Sequence, residues 1–268
     1  MEPTELILLE GTVSAVIYRN EENGYTILRL ESDQEEEDVT VVGTMPGINP
    51  GEGLSVQGQW THHSTYGPQF KAEIVERRMP VGEKAILEYL MSGAVKGVGG
   101  VTARRLFDAF GADVLTVIEE EPQRLTEVKG ITPKRAETMH QSLCMQLAMR
   151  RLLDFLAEHG LPLQIGMPLY QRYGDLALTV LRNDPYLLLE DPLYVPFPTV
   201  DQLALALGIA PDASLRLEAG LLHTLSHNLD NGHVFLPYSK LLDAAQRLLS
   251  AQPEDLARCF DALLDQRK

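Results

Sequence analysis

One pattern of spacing recurs four times in the middle of this 268-residue chain, and it restricts the fold more than any other feature. From Gly97, Ala103 stands at plus six, Leu106 at plus nine, Phe110 at plus thirteen and Gly111 at plus fourteen. From Gly130 the same places hold Ala136, Met139, Leu143 and Cys144. From Gly160 they hold Gly166, Leu169, Tyr173 and Gly174, and from Tyr194 they hold Val200, Leu203, Leu207 and Gly208. The four starts lie 30 to 34 residues apart, a period that marks repeated supersecondary units. The residue at plus six is usually small, which lets a second helix come close to the first. Plus nine and plus thirteen are apolar and one turn apart, so they face a shared core.

The first copy has the most informative turn. Lys96-Gly97-Val98-Gly99-Gly100 opens a helix whose Ala103, Leu106, Phe107 and Phe110 follow the i, i+3, i+4, i+7 pattern of a buried face. Its glycines allow backbone angles closed to other residues. The turn's amides and the helix's first N–H groups are then expected to point outward without partners. A helix start of that kind favours an anion such as a DNA phosphate. The pattern resembles the helix-hairpin-helix module, which holds a nucleic-acid backbone without reading its bases. The second copy keeps Gly130-Ile131-Thr132, with Lys129 before it and Pro133, at a helix-start position, Lys134 and Arg135 after it. The third and fourth, Gly160-Leu161-Pro162 and Tyr194-Val195-Pro196, replace an amide donor with proline.

Phosphate contacts are therefore expected from Lys96, Gly97, Val98, Gly99, Gly100, Arg104 and Arg105 in the first hairpin. A weaker set is expected from Lys129, Gly130, Ile131, Thr132, Lys134 and Arg135 in the second. The last two hairpins are expected mainly to pack. The plainer alternative is four helix turns closed by glycine C-caps, and tandem copies with adjacent Lys and Arg weigh against it.

A net charge of −15 argues against a nucleic-acid binder until it is divided along the chain. Residues 1–80 carry 14 acidic and 5 basic residues, 81–160 carry 11 and 10, and 161–268 carry 13 and 8. The segment with the better hairpins is thus nearly neutral, and its field is compatible with phosphate in weak, salt-sensitive binding. The acidic run Glu35-Glu36-Glu37-Asp38 reads as a solvated hairpin tip, with a partner-docking patch as the alternative. No apolar run is long enough for a membrane span, and the start lacks the basic residues of a signal peptide. Cys144 and Cys259 read as free thiols, which suits a cytoplasmic protein.

The first 80 residues are rich in strand signals: Leu6–Tyr18, Tyr25–Glu31, Val39–Gly43, Gly53–Trp60 and Gln69–Glu76, separated by turn residues. Five short strands suit a small barrel of the oligonucleotide-binding type. Tyr18, Tyr25, Trp60, Tyr66 and Phe70 either stack on bases or fill and cap the barrel. His62-His63 reads as a solvated loop. Pro80-Val81-Gly82 breaks the pattern, and Glu83 to Gly208 reads as short helices. A longer helix over Ser214–Leu229 is expected to end at Asn231-Gly232, before a short strand at His233–Pro237 and a helix at Tyr238–Leu249. His223 and His227 have a metal-ligand spacing but no third ligand nearby, so an amphipathic helix face is the better reading. There is no Gly-x-x-x-x-Gly-Lys-Ser/Thr loop, no two-metal carboxylate set and no nucleophilic triad, so nothing in these residues shows catalysis.

Several segments, in order, resemble the N-terminal extension of the long, RecB- and RecC-independent form of RecD-like DNA helicases. They are Gly11-Thr12-Val13, Asn23-Gly24-Tyr25-Thr26, Tyr66-Gly67-Pro68-Gln69-Phe70-Lys71-Ala72, Ser92 to Gly99, Asn183-Asp184-Pro185-Tyr186 and Asn231 to Pro237. The fourth hairpin departs from that family's Gly-hydrophobic-Gly. The resemblance implies a superfamily 1 motor, further along a longer chain, that unwinds DNA 5′ to 3′ with ATP and magnesium. The present chain looks like the part before it, with no cofactor of its own. The expected fold is α+β and mostly α. An OB-like five-stranded barrel would span 1–79, tandem helix-hairpin-helix repeats 80–210, and a helical segment 211–268. The expected function is to grip DNA backbone without sequence preference, with a repair-protein partner on the acidic barrel as a further expectation. The alternative is a protein-interaction scaffold that binds no DNA. A base-excision enzyme shares the hairpin motif but lacks a defensible Lys/Asp pair.

Overall fold

The computed structural model describes residues 6–265 apart from 33, 36 and 231–234. Two compact units divide the chain, Met1–Asp175 and Leu176–Lys268. The element type changes from strand to helix between Arg78 and Glu83. The compact units part at 175/176, so the barrel and the first hairpins lie in one unit.

In the first unit, β1 (Ile7–Arg19), β2 (Tyr25–Ser32), β3 (Val39–Thr44), β4 (Gly53–His63) and β5 (Gly67–Arg78) close into a barrel in the order β1-β2-β3-β5-β4. Every pair is antiparallel except β3 with β5. β1 is long enough to serve two neighbours. Its first half pairs with β4 and its second half with β2, and register shifts after Val13 and Val16 bend it around the barrel. Alternation turns Leu28 and Leu30 inward and Arg29 outward on β2. Leu9, Val13, Leu28, Leu30, Val41, Val56 and Phe70 form the barrel core. Phe70 is fully buried, so it fills the barrel and is not a base-stacking surface. Tyr18, Tyr25, Trp60 and Tyr66 are exposed. Trp60 sets its ring edge-on against Phe70, with centroids 5.5 Å apart. His63 shapes the β4–β5 turn, its Nδ1 accepting from the Thr65 amide at 3.1 Å. Glu35, Glu37 and Asp38 are exposed between β2 and β3, while Glu36 lies outside the described residues.

The helices of this unit are α1 (Glu83–Met91), α2 (Gly100–Phe110), α3 (Val114–Glu120), α4 (Pro133–Glu158) and α5 (Gly166–Tyr173), joined by short 3-10 turns. The expectation of short helices fails at α4, which runs 26 residues. The reason lies at plus fourteen in the repeat. Gly111 and Gly174 stop α2 and α5 with positive φ, 58° and 56°. The second copy has Cys144 there, so nothing closes the helix, and it continues until Gly160. Ala136, Met139, Leu143 and Leu147 of α4 join Leu90, Ala103, Leu106, Val114 and Ile118 in one apolar core.

A buried ion network ties the barrel to α4. Arg77 donates to Glu52 at 2.9 Å, to Asp154 at 2.9 Å and to the Pro46 carbonyl at 2.8 Å. The side chains of Arg77 and Glu52 are 4% and 1% exposed. Burial, with Glu52 nearby, pushes the neighbouring Tyr89 hydroxyl up to about 12.

The second unit holds α6 (Ala177–Asn183), α7 (Phe197–Ala206), α8 (Ser214–Asp230), α9 (Tyr238–Leu249) and α10 (Pro253–Asp265). α10 lies beyond the last helix that the sequence pattern signals. Arg216 of α8 grips Asp201 of α7 through Nε and Nη2, both at 2.8 Å, and Tyr186 donates to the same carboxylate at 2.7 Å. His223 stacks on Phe197 with ring centroids 4.7 Å apart, and burial lowers its pKa. Among the described residues no group of three or more His, Cys, Asp or Glu could hold a metal ion. The expected helix stop at Asn231-Gly232 and the first two residues of the expected strand at His233–Pro237 lie outside the described residues. Phe235, Leu236 and Pro237 carry no strand. Among the described residues no helix is long and apolar enough to cross a membrane.

Candidate nucleic-acid interface

The four repeats share one local geometry. The opening residue has positive φ in every copy: Gly97 at 86°, Gly130 at 92°, Gly160 at 64° and Tyr194 at 44°. The next residue is buried each time, as Val98, Ile131, Leu161 and Val195, and anchors the turn in the core. The residue after it precedes the following helical segment, as Gly99, Thr132, Pro162 and Pro196. Plus six and plus nine are buried throughout. The substitution that sets the fourth copy apart in sequence therefore changes the residue but not the backbone.

The helix starts differ in the donors they present. At α2 the N-cap Gly99 has no side chain to satisfy an amide, and the first helical bond comes from Ala103 to the Gly99 carbonyl. The N–H groups of Gly100, Val101 and Thr102 precede that first bond. Gly97, Gly99 and Gly100 are exposed. At α4 the start is more closed. Pro133 has no N–H, and the Thr132 hydroxyl accepts from the Arg135 amide at 3.3 Å, which leaves Lys134. Not every turn amide is free, contrary to the sequence expectation. Val98 donates to the Val95 carbonyl, Ile131 to the Val128 carbonyl, and the Lys96 amide to Ser142 Oγ at 2.8 Å. Val98 and Ile131 are buried as whole residues, and their amides are taken up by those bonds.

The basic residues fall into two groups. Lys96, Lys129 and Lys134 are exposed, and among the described residues none has an acidic partner. Arg104 is exposed and pairs loosely with Glu83 of α1 at 3.4 Å. Arg105 and Arg135 are also exposed, but they grip the hairpins themselves. Arg105 Nη1 donates to the Lys129 carbonyl at 3.3 Å. Arg135 donates through Nη1 to the Gly130 carbonyl at 2.8 Å and through Nη2 to the Gly97 carbonyl at 3.0 Å. The structure thus brings the first two hairpins together. Ser142 and Glu83 are contacts that the repeat pattern did not single out. Ser142 carries one weak signal, its place two helical turns beyond Arg135.

Family comparisons agree with this geometry domain by domain. Residues 6–80 match the OB-fold domain of the ATP-dependent DNA helicase YrrC. Residues 87–143 match a SAM-like helix-hairpin-helix tandem, and residues 145–235 the helix-hairpin-helix domain of ATP-dependent RecD2 DNA helicase. The ATP-dependent RecD2 DNA helicase of Deinococcus radiodurans is 33% identical over 245 residues, which cover 89% of this chain. The chain spans about a third of that relative's length, 34%. With the five-stranded barrel and the hairpin geometry in place, these matches identify the chain as carrying the N-terminal OB-fold and helix-hairpin-helix domains of the RecD2-type ATP-dependent DNA helicases.

Proposed function

We propose that this chain is the DNA-binding and positioning module of a RecD2-type helicase, and that it holds the phosphate backbone without reading sequence. The observation that carries the reading is the exposed, uncapped start of α2, flanked by Lys96 and Arg104 and set beside the second hairpin. Gly99 and the amides of Gly100, Val101 and Thr102 would meet one phosphate, with Lys96, Arg104 and Arg105 supplying field. The second hairpin would add a weaker contact through Lys129, Gly130, Thr132, Lys134 and Arg135. The third and fourth hairpins pack. Unwinding with ATP and magnesium would belong to the longer protein, and this module would keep duplex or junction close to its motor.

The test is a titration of the chain with short duplexes of differing sequence over a range of salt. Binding should be indifferent to sequence. Log affinity against log salt should fall with a slope of roughly −2 to −4, since each neutralised phosphate contributes about −0.9. A marked sequence preference, a flat salt response, or no binding at low salt would refute the reading. The last of these is what a protein-interaction scaffold predicts.

A further inference from the structure

We propose that Arg135 and Ser142 of α4 are positioning residues of the first hairpin, and that Arg135 acts by holding that turn rather than by contacting phosphate. This rests on the DNA-binding reading above and assigns a different role to one of its cations. The two residues are seven apart, close to two helical turns, so they leave the same face of α4. That face meets the loop before α2 at three backbone atoms. Ser142 Oγ accepts the Lys96 amide at 2.8 Å and donates to the Ala94 carbonyl at 3.3 Å. Arg135 Nη2 donates to the Gly97 carbonyl at 3.0 Å. The same guanidinium spans to its own hairpin through Nη1 and the Gly130 carbonyl at 2.8 Å. One planar group therefore fixes two turns relative to each other, each opened by a glycine at positive φ.

The clasp is reciprocal, because Arg105 of α2 donates to the Lys129 carbonyl of the second turn. Among the described residues no atom lies within 4 Å of where a Cβ on Gly97 would stand, so nothing packs over the exposed side of the turn. Its order comes from Val98 below and from α4 beside it. A guanidinium already aimed at two carbonyls has a fixed fork, and a lysine ammonium cannot reproduce its two directed bonds. Charge and geometry can therefore be separated at this one position.

The experiment compares the wild type with Arg135→Lys, Arg135→Gln, Ser142→Ala and Lys96→Gln in duplex-DNA titrations over salt. Amide exchange across residues 94–100 is read in the same proteins without DNA. Arg135→Lys and Arg135→Gln should weaken binding alike, by about tenfold, close to 1.4 kcal/mol. Both should keep the wild-type salt slope, whereas Lys96→Gln should reduce it by about 1. Exchange across residues 94–100 should quicken several-fold in Arg135→Lys and in Ser142→Ala, while the melting midpoint of each variant stays near the wild type. The proposal is overturned if Arg135→Lys binds as wild type while Arg135→Gln loses about one unit of slope, for Arg135 then contacts phosphate. It is overturned equally if exchange is unchanged in both Arg135→Lys and Ser142→Ala. Should the wild type bind no DNA, the functional reading fails, and the exchange measurements alone decide whether the clasp orders the turn.

Discussion

Replacing Gly99 with alanine separates ligand approach from backbone strain. Gly99 sits at φ −110° and ψ 174°, an extended conformation open to any residue. A Cβ built there meets nothing within 4 Å. Strain and clash are therefore both absent. Alanine is a poorer N-cap than glycine by roughly 0.5–1 kcal/mol. It also restricts the unfolded chain, which returns about 0.4–1 kcal/mol. The two effects nearly cancel, and the melting midpoint should move by less than about 2 °C. Affinity should behave differently. The added methyl group stands where a phosphate would approach the α2 amides and should cost one charge-assisted hydrogen bond, roughly 1.5–3 kcal/mol, or about ten- to a hundredfold in Kd. Gly97→Ala is the counterpart. Its φ of 86° penalises any side chain although a Cβ there also meets open space. That change should remove about 1–2 kcal/mol of stability. The assay is fluorescence anisotropy on a labelled duplex at low salt, with a melting curve for each variant. If Gly99→Ala binds DNA as tightly as the wild type, the α2 start is not where phosphate sits. If it melts as early as Gly97→Ala, the conformational argument is wrong.

Two further outcomes follow from the same structure. Tyr194→Gly removes a side chain from a left-handed conformation that costs roughly 1–2 kcal/mol, against the extra entropy of a glycine in the unfolded chain. The midpoint of its unit should rise by a degree or two with DNA affinity unchanged; a fall would mean that the Tyr194 hydroxyl's hydrogen bond with Asp191 outweighs the strain. Arg77→Met should leave the 1%-exposed Glu52 without its closest cation and destabilise the first unit by about 3–5 kcal/mol in urea unfolding. Adding Glu52→Gln should recover part of that loss, and no recovery would locate the cost in packing rather than in charge.

The barrel was legible because its strands are short, punctuated by turn residues and alternating in burial, so local pattern and global fold agree. Three of the five strands begin at the expected residue, Tyr25, Val39 and Gly53, and their ends differ by one to three positions. Phe70 illustrates the limit. Its aromatic ring reads equally as a stacking surface or a core plug, and only barrel closure decides that it is buried. α4 shows another. A period of about thirty residues suggests short helices throughout, and one missing glycine, with Cys144 in its place, leaves the second repeat with a single long helix where the first has α2 and α3. The ion pairs of Arg77 and Arg216 reach 25 and 15 residues along the chain, to Glu52 and Asp201, distances at which residue spacing carries no signal.

The hairpins separate two properties that the sequence motif combines. The repeat itself is a backbone requirement: positive φ at the first position, a buried anchor at the second and a helix start after it. Tyr194 meets that requirement without glycine, which is why the fourth copy looks degraded in sequence and intact in structure. Donor chemistry is a separate matter, set by what stands at the helix start. Gly99 leaves the first α2 amides open, Thr132 and Pro133 close most of those on α4, and Pro162 and Pro196 have no N–H of their own. Four copies of one scaffold therefore need not make four phosphate sites. Once repetition has fixed the packing, a change of one residue at the helix start can close or remove an amide donor while the backbone of the turn is kept. The hairpins therefore differ in which amides remain open, and the reciprocal arginines hold the first two side by side.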